Sequence, residues 1–176
     1  MNADRISRLT FTCALLVIAI SGCLSYPAPQ NASTPSSGGS VGTSSGASAI
    51  ENATLSMINA ERGKKGLAPL VMRDDLHRVA RAHSEDMAAR DFHDHTNPDG
   101  ESPWDRMRAA GITFSSSAEN IAWNDHPDQA AVAVRSWMES RGHRDNILNG
   151  GYTLTGLGVA SDGAGGAYFT QVFMSE

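Results

Sequence analysis

The sequence predicts an α+β domain in which helices pack on an antiparallel sheet. After residue 50, apolar residues recur with helical spacing through most of the chain, and a strand-like period of two appears clearly only near the C terminus. Strands and helices do not alternate, which argues against a parallel βαβ fold. The 176 residues suit one core, and the net charge of −5 argues against a nucleic-acid partner.

The helix boundaries follow from start and stop residues. Gly63 ends the first run, Asp74 is a candidate N-cap for the second, and Ser102 followed by proline begins the third. The fourth run is apolar around much of its circumference and is predicted to stop at Gly142, which leaves His143 just beyond its end. The four predicted helices cover residues 50–62, 76–90, 103–110 and 128–141.

The C-terminal strands form a predicted hairpin. Residues 152–161 and 167–174 have the period of strands and flank the glycine-rich turn DGAGG. In the first strand Leu157 and Val159 point to one side, whereas Gly156 and Gly158 leave the other side bare. A bare face of this kind allows another backbone to approach closely.

The N-terminal segment differs in composition from the domain. Residues 1–22 are predicted to be a lipoprotein-type signal peptide, because two arginines precede an apolar run of about 12 residues, too short to span a bilayer. The run ends in ISGC, which resembles a lipobox and makes Cys23 the predicted lipidation site. An ordinary secretory signal or an uncleaved anchor is the alternative. Either way, the domain is expected outside the cytoplasm.

Residues 23–49 are predicted to be a lipidated cysteine and a disordered tether rich in Ser, Gly and Pro, and residues 50–176 the domain. The tether has too few bulky apolar side chains to offset the entropy of ordering. A lipid on Cys23 would therefore hold the domain at a membrane surface, which makes the membrane a predicted partner.

Three polar clusters stand out in the domain, at 92–100, 118–120 and 141–146. Their central ionisable residues are His95, Glu119 and His143. Two imidazoles and one carboxylate suit a divalent cation, zinc above all, with one coordination position left open. Spacing alone does not show that the three converge, and each cluster is expected at or near the end of an element.

Four motifs occur in an order that resembles the bacterial branch of the CAP superfamily of cysteine-rich secretory, antigen 5 and pathogenesis-related proteins. They are HTNPDGESPWDRM, SAENIAW, SWMESRGHRDNIL and GLGVA. The resemblance implies a three-layer α-β-α sandwich with a central antiparallel sheet. It also implies a cleft in which members commonly place two histidines and two glutamates, and some members bind a divalent metal there.

Carried over residue by residue, His95 resembles the first family histidine and Glu119 the first glutamate. Two positions depart from the pattern, since Ser140 stands where many relatives have the second glutamate and Tyr168 stands in place of the second histidine. His143 matches a histidine of bacterial members and is the predicted replacement ligand.

The remaining histidines and tryptophans are assigned to structure. His83 lies on the apolar stripe of the second helix and is predicted to be a core histidine bonded to a neighbour. His93 is predicted to be exposed or packed on a ring, with a metal ligand as the alternative, and His77 and His126 are predicted to be exposed. The three tryptophans are predicted to be core anchors, with a groove lining as the alternative.

Three functions are compatible with these residues. The preferred one is a tethered binding domain whose cleft takes a lipid, a sterol-like molecule or an envelope component, with or without a divalent metal at His95, Glu119 and His143. The second is a metal-dependent, protease-like hydrolase in which Glu119 ligates the metal or acts as a general base on bound water. The third is a structural or adhesive envelope protein in which the three residues form a polar network.

Overall fold

The computed structural model describes residues 48–176, so the predicted signal peptide, Cys23 and nearly all of the tether lie outside the described range. No helix within this range is long and apolar enough to cross a bilayer. The helices are α1 (Ala49–Gly63), α2 (Asp74–Arg90), α3 (Pro103–Ala109), α4 (Gln129–Glu139) and α5 (Arg141–Ile147). The strands are β1 (Val71–Met72), β2 (Ser116–Asn124), β3 (Leu154–Ser161) and β4 (Ala167–Ser175).

Two capping boxes fix helix starts. Ser48 caps α1 by accepting from the backbone N–H of Glu51, whose carboxylate accepts from the Ser48 N–H in return. Ser102 and Asp105 make the same reciprocal pair at α3, as the Ser-Pro signal predicted. At α2 the predicted cap is wrong by one residue, because Arg73 occupies the N-cap position and Asp74 is already helical.

The predicted fourth helix is two helices. α4 ends at Glu139 because Ser140 adopts an extended conformation (φ −83°, ψ 124°), and α5 begins at the next residue. Gly142 is therefore not a stop signal, and His143 lies inside the first turns of α5 rather than beyond a helix end. The fully buried Ile147 anchors α5 in the core, a tertiary contact that the local pattern does not reveal.

The sheet has the strand order β1-β3-β4-β2. The predicted hairpin is confirmed, with β3 and β4 antiparallel and Leu157 opposite Gln171. β2 pairs antiparallel with β4, and the two-residue β1 runs parallel to β3, which makes the sheet mixed rather than wholly antiparallel. β2 was missed because Glu119 and Asn120, in its middle, interrupt the apolar alternation of a strand.

Helices cover both faces of the sheet, and the predicted α-β-α sandwich is confirmed. α2 lies on one face, where Leu76 and Val79 pack with Val172 and Met174. On the other face α1, α4 and α5 enclose a core that includes Ile58, Trp137, Ile147, Phe169 and Phe173. The bare glycine face of β3 meets the α2 backbone, as the sequence predicted.

Two predictions about side-chain exposure are wrong. His77 is buried at 4% exposure, and its Nδ1 donates to the Leu157 carbonyl at 2.6 Å. The reason is the short β1, which covers little of the β3 edge and leaves that carbonyl for a side chain. Among the tryptophans only Trp137 is buried, whereas Trp104 and Trp123 are 46% and 44% exposed.

Candidate functional site

A buried carboxylate forms the centre of the candidate site. Glu119 lies in the middle of β2, not at an element end as predicted, and is 8% exposed. Its Oε1 accepts from Nδ1 of His95 at 2.9 Å, and its Oε2 accepts from Nη2 of Arg106 at 2.9 Å. Both oxygens therefore have charged or ionisable partners, which offsets the cost of burying the carboxylate.

Arg106 is the residue of this cluster that sequence reasoning missed. It lies on α3, and its side chain is 9% exposed. Besides its ion pair with Glu119, its Nη1 donates to the main-chain carbonyls of His95 and Glu101 at 3.0 and 2.9 Å. The Arg106 guanidinium thus pairs with the Glu119 carboxylate. It also holds the backbone of His95, which bonds to the same carboxylate.

His83 supports the site from α2 and is a core histidine bonded to a neighbour, as predicted. It is 1% exposed, and its Nε2 donates to the Asp94 carbonyl at 3.0 Å, with Glu119 Oε1 4.0 Å away. Burial lowers the pKa of His83, although the nearby Glu119 charge acts in the opposite direction. His83 is therefore neutral, and its bond to the Asp94 carbonyl holds the backbone next to His95.

The segment after α2 presents His95. Asp91 ends α2 in the left-handed conformation (φ 52°), and the Asn97 side-chain oxygen accepts from the N–H groups of Asp99 and Glu101. The His95 side chain is 46% exposed. Because Nδ1 donates to Glu119, Nε2 is the nitrogen left for a further partner. The hydrogen bond to Glu119 is the main cause of the raised pKa of His95.

His143 approaches the cluster from α5. Asn120, fully buried beside Glu119 on β2, donates from Nδ2 to the His143 carbonyl at 3.1 Å and accepts at Oδ1 from Asn146 at 2.9 Å. These bonds attach α5 to the strand that carries Glu119. The pKa of the half-buried His143 is lowered by burial and by the charges of His95 and His93, so the three imidazoles influence one another.

A cavity of about 330 Å³ opens beside His95 and Glu119. Its wall also includes Trp104 of α3, Ser117 of β2 and Asn146 of α5, whereas His143 is not among the described residues of this wall. A second cavity of about 680 Å³ lies between α2 and α3, with His83 and Arg106 in its wall. The charged side chains there include Arg90, which pairs with Asp86 and Asp99.

The profile of the cysteine-rich secretory protein family, CAP, matches residues 55–173. The chain belongs to the CAP family. The resemblance inferred from the four motifs is thereby confirmed, and the domain has the fold expected of a CAP domain.

Two similar curated proteins come from Bacillus subtilis strain 168. The uncharacterized protein YkwD is 39% identical over 132 residues, which cover 75% of this chain and 49% of YkwD. The uncharacterized membrane protein YlbC is 37% identical over 128 residues, which cover 72% of this chain and 34% of YlbC. The CAP chain therefore spans half or less of the length of these relatives.

Similar solved structures share the sandwich. An extracellular protein containing a SCP domain from Bacillus anthracis is 30% identical with a TM-score of 0.63, over 72% of this chain and 42% of that one. An outer surface protein from Borrelia burgdorferi has a TM-score of 0.66 over 72% of this chain and 92% of that one. At 20% identity the latter likeness concerns the fold alone.

The predicted ligand set of the CAP domain is only partly brought together. His95 and Glu119 are in direct contact, and His143 is attached nearby through its backbone. Within residues 48–176, no three His, Cys, Asp or Glu side chains are arranged to hold a metal ion. Tyr168 is buried, with its ring 6.2 Å from the ring of the exposed His93, and burial raises its pKa.

Replacing Glu119 with glutamine is expected to lower the pKa of His95, because the hydrogen bond from Nδ1 to the carboxylate is the main cause of its elevation. The stabilising contribution of the pair is complete below the unfolded-state pKa of about 6.5 and is lost as the pH rises through the raised folded-state value. The unfolding free energy should therefore fall more in Glu119→Gln at pH 5.5 than at pH 8.5.

NMR titration of the histidine ring protons in the wild type and in Glu119→Gln measures this shift directly. Glu61→Gln is the control, because Glu61 pairs with Lys64 on α1, away from the cleft. An unchanged His95 titration in Glu119→Gln would contradict the assignment of the hydrogen bond as the cause.

Proposed function

We propose that this CAP protein is an extracytoplasmic binding domain, held at a membrane by lipid on Cys23, whose cleft takes a ligand without chemical turnover. The observation that carries the proposal is the state of Glu119, whose two oxygens both accept hydrogen bonds from protein donors. Beside it His95, whose Nδ1 is used on Glu119 and whose Nε2 is left, lines a cavity of about 330 Å³. These features suit recognition of a bound group.

The hydrolase alternative requires more of Glu119 than this arrangement allows. A general base needs a carboxylate oxygen within reach of the water whose proton it removes. Each oxygen of Glu119 already accepts from His95 or Arg106, and the side chain is only 3% exposed, so a water would have to reach a buried oxygen between two protein donors. This limited access disfavours a base role, so binding is the function that these contacts favour.

A divalent cation remains part of the proposal, with Glu119 in a changed role. A carboxylate that accepts from one nitrogen of a histidine commonly orients the other nitrogen toward a metal. Glu119 has this relation to His95, so His95 and His143 would hold the cation while Glu119 stays behind His95. Zinc is favoured because imidazole nitrogen is among its usual ligands. A bound cation would supply a positive centre for an oxygen of the ligand.

The location agrees with what the chain resembles. The similar Bacillus anthracis protein is extracellular, and the apolar segment ending in ISGC has the form of a lipoprotein export signal. A tether of Ser, Gly and Pro would place the cleft off the membrane surface. Ligands at that position include a lipid, a sterol-like molecule and a component of the envelope.

Thermal melts test the cation-binding part of the proposal. Zinc at about 100 times its Kd should stabilise the wild type by about 2.7 kcal/mol, and His95→Ala should remove most of that gain. His126→Ala, which alters an exposed histidine in the turn before α4, should keep it. A chelator should return the wild type to its metal-free melting temperature.

Two other outcomes would count against the proposal. If His95→Ala lowers the melting temperature equally with zinc and with chelator, the cluster is a polar network that only supports the fold. If zinc stabilises the wild type and His95→Ala alike, the cation binds elsewhere.

A further inference from the structure

We propose that the outer wall of the cleft is a subsite for a neutral pyranose ring, with Trp104 as the surface on which the sugar stacks. This inference rests on the proposed binding function and names the class of ligand: an uncharged sugar such as an N-acetylhexosamine unit of a glycan. It follows from the exposure of one tryptophan, the hydrogen-bonding groups beside it and the lack of unpaired charge among the described residues of the cavity wall.

Trp104 is held at the rim of the cavity by a fixed helix start. It follows Pro103 in the first turn of α3, whose N terminus is closed by the Ser102–Asp105 box and whose Met107 is fully buried. Even so, Trp104 is 46% exposed and belongs to the cavity wall. An exposed aromatic face on a rigid element loses little conformational entropy when a flat ligand stacks on it.

The groups next to Trp104 can both donate and accept hydrogen bonds. Ser117 belongs to the cavity wall, and its hydroxyl is buried without a hydrogen-bond partner in the described part of the chain. A buried hydroxyl without a partner is unfavourable, and a ligand hydroxyl or amide that pairs with it would remove that cost. Asn146 donates from its amide nitrogen to Asn120, so its Oδ1 is left to accept, and His95 belongs to the same wall.

The charge balance favours an uncharged ligand. Among the described residues Glu119 is the one carboxylate in the wall, and it is paired with Arg106 and with His95, each at 2.9 Å. Most of the wall residues carry hydrogen-bonding side chains, while most of the exposed wall area is apolar, a combination that suits a sugar ring with apolar faces and polar edges. The volume of about 330 Å³ is at the small end for ligand pockets and suits one or two sugar rings.

The chain offers a matched control for Trp104. Trp123 is almost equally exposed, at 44%, but it lies on β2 away from the cavity and donates from Nε1 to Asp162. The two tryptophans can therefore be truncated with similar losses of exposed aromatic area. Only the truncation at Trp104 removes the proposed stacking surface.

The experiment measures binding of N,N′,N″-triacetylchitotriose to the full chain by isothermal titration calorimetry. The wild type should bind, Trp104→Ala should weaken binding at least about tenfold, and Trp123→Ala should change it less than about twofold. Ser117→Ala should weaken binding several-fold without lowering the melting temperature. Trp104→Phe, which keeps an aromatic face, should bind better than Trp104→Ala.

Three results would overturn the inference. The first is no binding of the trisaccharide to the wild type at millimolar concentration, and the second is equal weakening by the two tryptophan truncations. The third is Trp104-dependent binding of oleate or a soluble sterol analogue with no binding of the sugar, which would assign the subsite to a lipid.

The zinc melts separate this inference from the function on which it rests. If zinc stabilisation depends on His95 while the trisaccharide fails to bind, the sugar subsite is wrong and the cation-binding cleft stands. If the trisaccharide binds through Trp104 while zinc has no effect, the subsite stands and the cation is wrong. If neither binds, both proposals fail.

Discussion

Replacing Gly158 with alanine should cost about 3 kcal/mol or more of unfolding free energy, because the new methyl group would collide with the backbone of α2. A Cβ built on Gly158 falls far inside van der Waals contact with the backbone N and Cα of Arg81, and 2.5 Å from the carbonyl carbon of Ala80. Gly156 is in the same position against Leu76 and His77.

The cost is large because backbone atoms, unlike side-chain ends, cannot rotate away. Relief requires α2 to move off the sheet by about 1 Å or more to reach carbon–carbon contact distances of about 3.5 Å. Such a movement would pull Leu76 and Val79 out of their contacts with Val172 and Met174. It would also shift His83, which holds the backbone next to His95.

Gly142→Ala is the matched control, because the same methyl group has the opposite expected effect there. Gly142 is exposed within α5, and nothing lies within 4 Å of a Cβ at that position. Alanine in a helix is favoured over glycine, so a gain of about 0.5 kcal/mol is expected. Urea unfolding measures the unfolding free energy of both variants. If that of Gly158→Ala lies within about 1 kcal/mol of the wild-type value, α2 does not pack against the glycine face of β3.

A close approach of another backbone to β3 was predictable, although not that α2 makes it, whereas β2 was not predictable, and the difference is physical. In β3 every second residue is small, so the period of two reveals a face that only a close backbone can fill. In β2 the middle positions are Glu119 and Asn120, which form the candidate site and so lack the apolar pattern of a buried strand. The residues of the candidate site thus conceal the strand that carries them.

The candidate site was likewise only half predictable. The family resemblance selected His95 and Glu119, and in the structure His95 Nδ1 lies 2.9 Å from Glu119 Oε1. Arg106 was missed, and His83 was predicted as a core histidine without its proximity to Glu119, because these contacts depend on how α3 and α2 pack against β2, which local spacing does not encode. One general signal does exist, since a buried carboxylate requires a cation or several donors nearby. This signal indicates that a buried Glu119 needs such a partner, but it does not identify which residue the partner is.

Arg62→Met should lower the unfolding free energy by about 3–5 kcal/mol, an effect comparable to that of Gly158→Ala. The reason is that Arg62 is a buried cation that holds the connection between α5 and β3 in place. The side chain is 1% exposed at the end of α1. Its guanidinium donates to four main-chain carbonyls at 2.7–3.0 Å, and burial lowers its pKa. The accepting carbonyls belong to Ala68, Ile147, Asn149 and Tyr152.

One of these carbonyls belongs to the last residue of α5 and two lie in the stretch that joins α5 to β3, so stability should be lost locally as well as globally. Methionine fills most of the volume but donates nothing, which leaves carbonyls inside the protein without a donor. Amide hydrogen exchange at residues 148–153 should therefore speed up by more than the global loss of stability explains. Because α5 carries the His143 carbonyl that Asn120 binds, the cleft should loosen with it.

Arg141→Met is the control that separates this effect from the loss of a surface charge. Arg141 has an 89% exposed side chain and a 3.6 Å contact with Asp145, so its replacement should cost less than about 0.5 kcal/mol. Arg62→Lys should lie between the two, since an ammonium keeps the charge but offers three donors without the planar fork. If Arg62→Met loses no more stability than Arg141→Met, the four carbonyls find other donors and Arg62 does not organise the connection.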